Sequence, residues 1–240
     1  MIRTTKVILL GACLTSALAR ADVIMLETSS AALGANDSVS WGQLGADGAA
    51  IANPFSATSA ASNAIGGSFA TGSATGLVAE VGSSWGPASG AFANNDFLDW
   101  SFNNGTSNGI GPVTFTFPSG FGAGAAIQPD SPGQFTARID LFNGGTLLGF
   151  VTETSDLAGD ALYIGGLDTT GANVTKAVFS LTAVGSNPNN ETNNLGDFAV
   201  DTLSLVNPVV TGIPEPGTFF LLGGALMGLH WRLRRRATRS

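Results

Sequence analysis

Carboxylates are the only reactive side chains this polypeptide supplies in number. Its 240 residues contain 17 Asp and Glu but a single Cys and a single His. Cys13 and His230 lie near the two ends, so residues 22–212 contain neither. That removes thiol nucleophiles, disulfides, Cys/His zinc sites and histidine-based triads from the interior. A glycosidase needs two carboxyl groups about 5–5.5 Å apart if retaining, or roughly 6.5–9.5 Å if inverting. Asp96 and Asp99 are near in sequence, but in an extended strand a separation of three sets them on opposite faces, about 10 Å apart. Asp156 and Asp160 fall in a turn-rich stretch, where solvated acids are ordinary. Neither pair converges, and the chain is expected to be no enzyme.

No cofactor is expected beyond a structural Ca²⁺, which hard oxygen ligands suit. The candidate ligand is Asp197, at a strand start beside Gly196 and near Glu191 and Asn193. Asp201, about 13 Å further along the same strand face, is expected as an exposed polar position. No EF-hand or repeat-type calcium motif occurs. Sugar recognition would use the faces of Trp41, Trp85 and Trp100, with Tyr163 and the many Asn and Thr residues; against this, tryptophans in short strands belong mostly to cores.

The elements that must position these groups are strands. Residues 22–212 show short alternating or apolar runs separated by Gly, Asn, Asp, Ser and Pro, and no convincing amphipathic helix. Phe135, Ala137, Ile139 and Leu141 share one face of a run whose other face is Thr136, Arg138 and Asp140. Asn143-Gly144-Gly145 then turns the chain into Thr146–Thr152, giving a hairpin. Further strands are expected at Ser38–Leu44, Gly76–Ser84, Asp96–Phe102, Pro112–Phe117, Ala161–Gly165, Val174–Ala183 and Asp197–Val206. About ten strands at this spacing predict an all-β fold, a single jelly-roll-like β-sandwich over 22–212. Residues 49–76, dominated by Ala, Ser, Gly and Thr, read as a low-complexity loop or thin edge strands.

Charge divides the chain differently. Arg138 and Lys176 are the only bases between residues 22 and 216, a stretch that holds all 17 acids and carries a net charge of −15. Such a surface repels nucleic-acid phosphates, so no nucleic-acid partner is expected. The other bases sit at the ends. Arg3 and Lys6 precede the apolar run Val7–Leu14, and Ala19-Arg20-Ala21 supplies the small residues of a cleavage site, so residues 1–21 read as a signal peptide. Leu10-Gly11-Ala12-Cys13 also resembles a bacterial lipobox, a competing reading that leaves very little apolar run before the cut.

At the other end, Pro214-Glu215-Pro216 precedes the apolar run Gly217–Trp231 and then Arg232, Arg234, Arg235 and Arg236. The prolines stop any strand or helix from running into the tail. As a helix, residues 217–231 span about 22 Å, against a hydrocarbon core of about 30 Å. Snorkelling arginines and local bilayer thinning cover part of that gap. The basic cluster is expected on the cytoplasmic side, leaving the acidic body outside.

This order of Pro-Glu-Pro, short membrane helix and arginine cluster resembles the PEP-CTERM sorting signal of exported Gram-negative bacterial proteins, here over residues 213–240. The resemblance implies two partners, the secretion machinery and an exosortase, a membrane cysteine protease acting near Pro-Glu-Pro. It also implies transient residence in the inner membrane, then the cell surface or extracellular space, in exopolysaccharide- and biofilm-type material. The expected function is that of a non-enzymatic surface or extracellular-matrix protein. The alternative is a carbohydrate-binding module for exopolysaccharide, and the third reading a carboxylate-dependent glycosidase. A second resemblance, to a group of uncharacterised PEP-CTERM proteins, rests on Ser40-Trp41-Gly42-Gln43-Leu44-Gly45, Asn53-Pro54-Phe55-Ser56-Ala57-Thr58, Gly122-Ala123-Gly124-Ala125-Ala126-Ile127-Gln128 and Asp197-Phe198-Ala199-Val200-Asp201. It implies a β-sandwich and brings no activity with it.

Overall fold

The structure is a computed structural model that describes residues 22–70, 76–80, 96–100, 112–129, 133–184 and 198–208, with the backbone alone at residues 80, 96–100 and 184. The expected signal peptide and membrane helix lie outside the described residues. Among the described residues no helix is long and apolar enough to cross a membrane.

Two sheets face each other in a jelly-roll-like sandwich, as the alternating pattern predicts. One sheet runs in the order β11 (Thr146–Thr154), β10 (Phe135–Asn143), β13 (Val174–Val184), β8 (Val113–Gly120), β5 (Ala64–Phe69) and β4 (Phe55–Thr58). The other is ordered β1 (Ile24–Glu27), β12 (Leu162–Asp168), β9 (Gly122–Pro129), β14 (Phe198–Val200), β7 (Asp96–Trp100), β6 (Gly76–Glu80) and β3 (Ala50–Ile51). Beside the first half of β9, β15 (Leu203–Val206) takes the place of β14 and pairs onward with β2 (Asp37–Val39). All described pairings are antiparallel, as the short turn-bounded runs require.

The β10–β11 hairpin forms where the sequence places it, with Asn143 opposite Thr146 and Gly144 at φ +55° in the turn. Phe135, Ala137, Ile139 and Leu141 are all buried. They meet Phe115, Phe179, Ile65 and Val113 from their own sheet, and Ile127, Ile164, Phe198, Val200 and Leu205 from the facing one. Trp41 closes this core. Its ring stacks on Phe115 at 5.2 Å between centroids and meets Phe55 edge-on at 6.2 Å, the offset and T-shaped arrangements that the aromatic quadrupole favours.

Several expectations are corrected. The run from Ser38 ends as a strand at Val39 and becomes a 3₁₀ turn over Trp41–Leu44, which carries the tryptophan inward to 0% exposure. The expected single strand over 197–206 is two, β14 and β15. Val200 faces Ile127, whereas Ser204 faces Gly124, so one extra residue is accommodated at Asp201-Thr202, a β-bulge that lets the strand change neighbours. Residues 49–76 contain β3 and β4 at sheet edges, but β5 lies inside its sheet between β4 and β8, with Ile65 and Phe69 in the core. Strand β9, unforeseen in the sequence, is central, and all but one of its residues are buried. A short helix, α1 (Ser30–Leu33), capped by the Ser29 hydroxyl and ended by Gly34 at φ +71°, also escaped the pattern.

Carboxamide side chains finish the sheets where strands run out. Asn53 both donates to the Phe69 carbonyl and accepts from its N–H, each at 3.1 Å. Gln43 does the same at Thr58, and Asn36 at Asn207. One amide group satisfies a donor and an acceptor that the strand end would otherwise leave open.

Candidate functional site

The acids divide by burial. Three described carboxylates are buried: Asp37 at 6%, Asp168 at 1% and Asp201 at 4% exposure. Charged groups at such depth need strong compensation, and each finds a different answer.

Asp37 is fully compensated. Its Oδ1 accepts from the N–H groups of Ser38 and Ala61, both at 2.8 Å. Its Oδ2 accepts from Ser59 Oγ at 2.6 Å, Asn63 Nδ2 at 3.0 Å and Asn207 Nδ2 at 2.8 Å. Burial pushes this carboxyl up, but the bonds from Ser59, Asn63, Ala61 and Asn207 outweigh it and hold the group below its ordinary value. The cluster joins β2 to the β4–β5 turn and to the end of β15. It is a fastening, with no oxygen left for a ligand.

Asp201 is corrected from the exposed position expected for it. The bulge turns its carboxylate back onto its own backbone neighbour, where Oδ1 accepts from the Thr202 N–H at 2.6 Å. Its carbonyl accepts from Trp41 Nε1 at 3.0 Å. Asp156 organises a turn, accepting from the N–H groups of Gly159 and Asp160. Asp168, in β12, differs. Its Oδ1 accepts from the Thr170 N–H at 2.8 Å and lies 2.6 Å from Thr170 Oγ1, while its Oδ2 is buried without a partner.

The other expected site residues are placed as follows. Trp41 is core and cannot stack on a sugar. Trp85 lies outside the described residues, and Trp100, Asp96 and Asp99 lie in β7, where the side chains are outside the description. Tyr163 packs over the β9 backbone, where a Cβ on Gly124 would meet its hydroxyl at 2.5 Å. Burial pushes its phenol up to about 12. Ala19, Ala21, Asp197, Pro214, Glu215, Pro216, Arg232, Arg234, Arg235 and Arg236 all lie outside the described residues.

The outward face of the β11–β4 sheet gathers what the sequence leaves scattered. Arg138 stacks over the Phe150 ring at 3.7 Å and pairs with Asp140 at 2.5 Å. Lys176 lies 3.9 Å over Phe142. Both bases of the acidic body therefore stand on one face, each against an aromatic ring. Further along that sheet, Ser56, Ser68, Thr114 and Thr116 line a shallow groove of about 280 Å³ over Gly66 and Gly67. Gly66 leaves room for the Thr116 side chain, and Gly67 for the Phe55 ring. Only hydroxyls and backbone present hydrogen-bonding atoms there. Alternation around these glycines would have signalled the strand, but not the groove, which needs partners distant in sequence. Among the described residues, no three His, Cys, Asp or Glu side chains group as metal ligands.

Comparison with known proteins places the tail. Residues 212–236 match the PEP-CTERM protein-sorting motif, as the residues there predict. The motif implies export, membrane transit and processing by an exosortase, followed by surface attachment or release. The crystal structure of a DUF4465 family protein from Bacteroides caccae is similar over 70% of this chain and 98% of that one, at 12% identity and a TM-score of 0.42. No curated protein matches the chain.

Proposed function

We propose that the chain is a non-enzymatic component of the cell surface or extracellular matrix, delivered by its PEP-CTERM tail and separated from that tail by an exosortase. The match at residues 212–236 carries the reading. It is supported by the placement of all bases but Arg138 and Lys176 at the two ends, which leaves residues 22–216 at −15 and resistant to anionic membranes. The test is intact-mass determination of the protein from its native host, beside a variant with Pro214, Glu215 and Pro216 all replaced by Ala. The native protein is expected to lack residues 1–21 and the arginine-rich end, and the variant to keep that end. An intact C-terminus in both samples refutes the reading.

A second reading, recognition of exopolysaccharide, is supported by the hydroxyl-lined groove across β4, β5 and β8. Polyol ligands exchange hydrogen bonds with such groups without a charged partner. Titration of the host polysaccharide into wild-type protein and into Ser68→Leu tests it. Binding lost in the variant supports a groove site, and absence of binding by the wild type refutes it. No observation favours the glycosidase reading. Asp22 and Asp168, which share one hydroxyl, sit on the other sheet from the groove.

A further inference from the structure

A carboxylate sunk in a protein needs either a full set of donors or a positive charge. Asp37 has the donors, five bonds in all. Asp168, at 1% exposure, has not: its carboxylate is met by Thr170 alone, and its Oδ2 is buried without a partner. Neither base of the body compensates it. Arg138 is engaged by Asp140 and Phe150 on the other sheet, and Lys176 lies over Phe142 there.

Export creates one further positive charge. Removal of residues 1–21 hydrolyses the Ala21–Asp22 amide. Ala21 leaves with the new carboxylate, and Asp22 keeps the nitrogen as an α-amine, which is mostly protonated at pH 7 given an ordinary value of about 7.7–8.0. The fold fixes where this charge stands. The Thr169 N–H and Oγ1 both donate to the Val23 carbonyl, at 3.1 and 3.2 Å, and Ile24 lies opposite Asp168 in the β1–β12 ladder. Asp22 therefore comes opposite Thr170. Its Oδ1 lies 2.8 Å from Thr170 Oγ1, the same hydroxyl that stands 2.6 Å from Asp168 Oδ1. A hydroxyl has one proton and donates to only one acceptor at a time. Two acids so close repel each other, and a cation carried by Asp22 itself relieves both.

We infer that the α-ammonium freed at Asp22 is the counter-charge of the buried Asp168 carboxylate, so that removal of the signal peptide completes an ion pair the precursor lacks. While residues 1–21 remain attached, the Asp22 nitrogen is an uncharged amide and the pair does not form. The body then reaches its full stability only after cleavage. A cut one residue earlier would carry the ammonium about 3.5 Å along the chain. The inference rests on export through the signal peptide and is independent of what becomes of the C-terminal tail.

The test uses protein processed by its native host. Intact mass and N-terminal sequencing are expected to find Asp22 as the first residue. Acetylation of the α-amine alone, with Lys176 left free, removes the charge and is expected to lower Tm by roughly 2–4 °C or more. In Asp168→Asn the same acetylation should leave Tm unchanged, because a neutral amide needs no counter-charge. Should that variant fail to fold, one Ala inserted between Ala21 and Asp22 displaces the ammonium, and the processed protein carrying it is expected to show the loss seen on acetylation. A first residue other than Asp22 overturns the inference. So does a wild-type Tm that ignores acetylation, an equal loss in a folded Asp168→Asn, or an unmoved Tm in the extended protein. An uncleaved C-terminus refutes the sorting proposal alone and leaves each of these results readable.

Discussion

Asp37→Asn is nearly isosteric, yet it should be among the more damaging single changes in the body. The carboxylate accepts two N–H bonds on Oδ1 and three bonds on Oδ2. An amide offers one oxygen. With that oxygen toward Ser38 and Ala61, its NH₂ confronts the NH₂ groups of Asn63 and Asn207; flipped, it confronts two backbone N–H groups. Either way two donors lose their acceptor, at about 1–3 kcal/mol each, and the remaining bonds lose charge assistance. Partial rearrangement at the rim offsets some of this, leaving about 3 kcal/mol. For a domain of this size that is a fall in Tm of roughly 6–12 °C.

The pH dependence has a definite sign. The folded carboxyl titrates below its reference value of 3.8, so its stabilisation is full above the unfolded-state value of about 3.9 and is lost as pH falls through the folded one. Urea unfolding followed by circular dichroism at pH 7, 5 and 3 should show an equal gap between wild type and variant at the first two and a narrower gap at the third. A gap under about 1 kcal/mol at pH 7, short of even one lost charge-assisted bond, or a gap that persists undiminished at pH 3, refutes the reasoning.

Tyr163 is the only tyrosine, so absorbance at 295 nm follows its phenol alone. Ionisation is expected near 12, the value to which burial raises it, and a midpoint near 10 in protein still folded contradicts its placement. Gly122→Ala drives a Cβ onto the Gly166 carbonyl and to 3.1 Å from Leu167 Cα, both immovable backbone. It should cost about 2–3 kcal/mol. Gly145→Ala, with nothing within 4 Å, should stay within about 0.5 kcal/mol, and equal urea midpoints for the two would refute the contact. Trp41→Phe opens space between Phe55 and Phe115 and strips the Asp201 carbonyl of its donor, a loss of about 2 kcal/mol. An unmoved unfolding midpoint would show that the bulge does not depend on the indole.

Strands that place large side chains on every second position were legible in the sequence, and β10 is the clearest. Strand β9 was not, because its packing depends on the side chains it lacks. Gly124 makes room for Tyr163, and Gly122 closes on the backbone of Gly166. Nothing in a run of Gly and Ala states that its neighbours will fill the gaps. The same holds for β5, where Gly67 receives the Phe55 ring. Asp201 was misjudged because an acid in a strand is ordinarily solvated; the bulge that buries it is set by pairing with two other strands. The tail, by contrast, was readable, since its Pro-Glu-Pro, apolar run and arginine cluster stand together in one short stretch of sequence, and residues 212–236 match the sorting motif. Asp22 and Asp168 meet through strand pairing across more than half the chain, and no local spacing announces them.

The close of β15 is tied down from more than one side. Asn207 exchanges two hydrogen bonds with Asn36 and gives a third to Asp37, and the strand before it is held on both flanks, by β2 and by β9. Any tension on the segment that follows is received at this knot and spread across three strands, not borne by one. Severing the polypeptide beyond residue 208 removes none of these attachments.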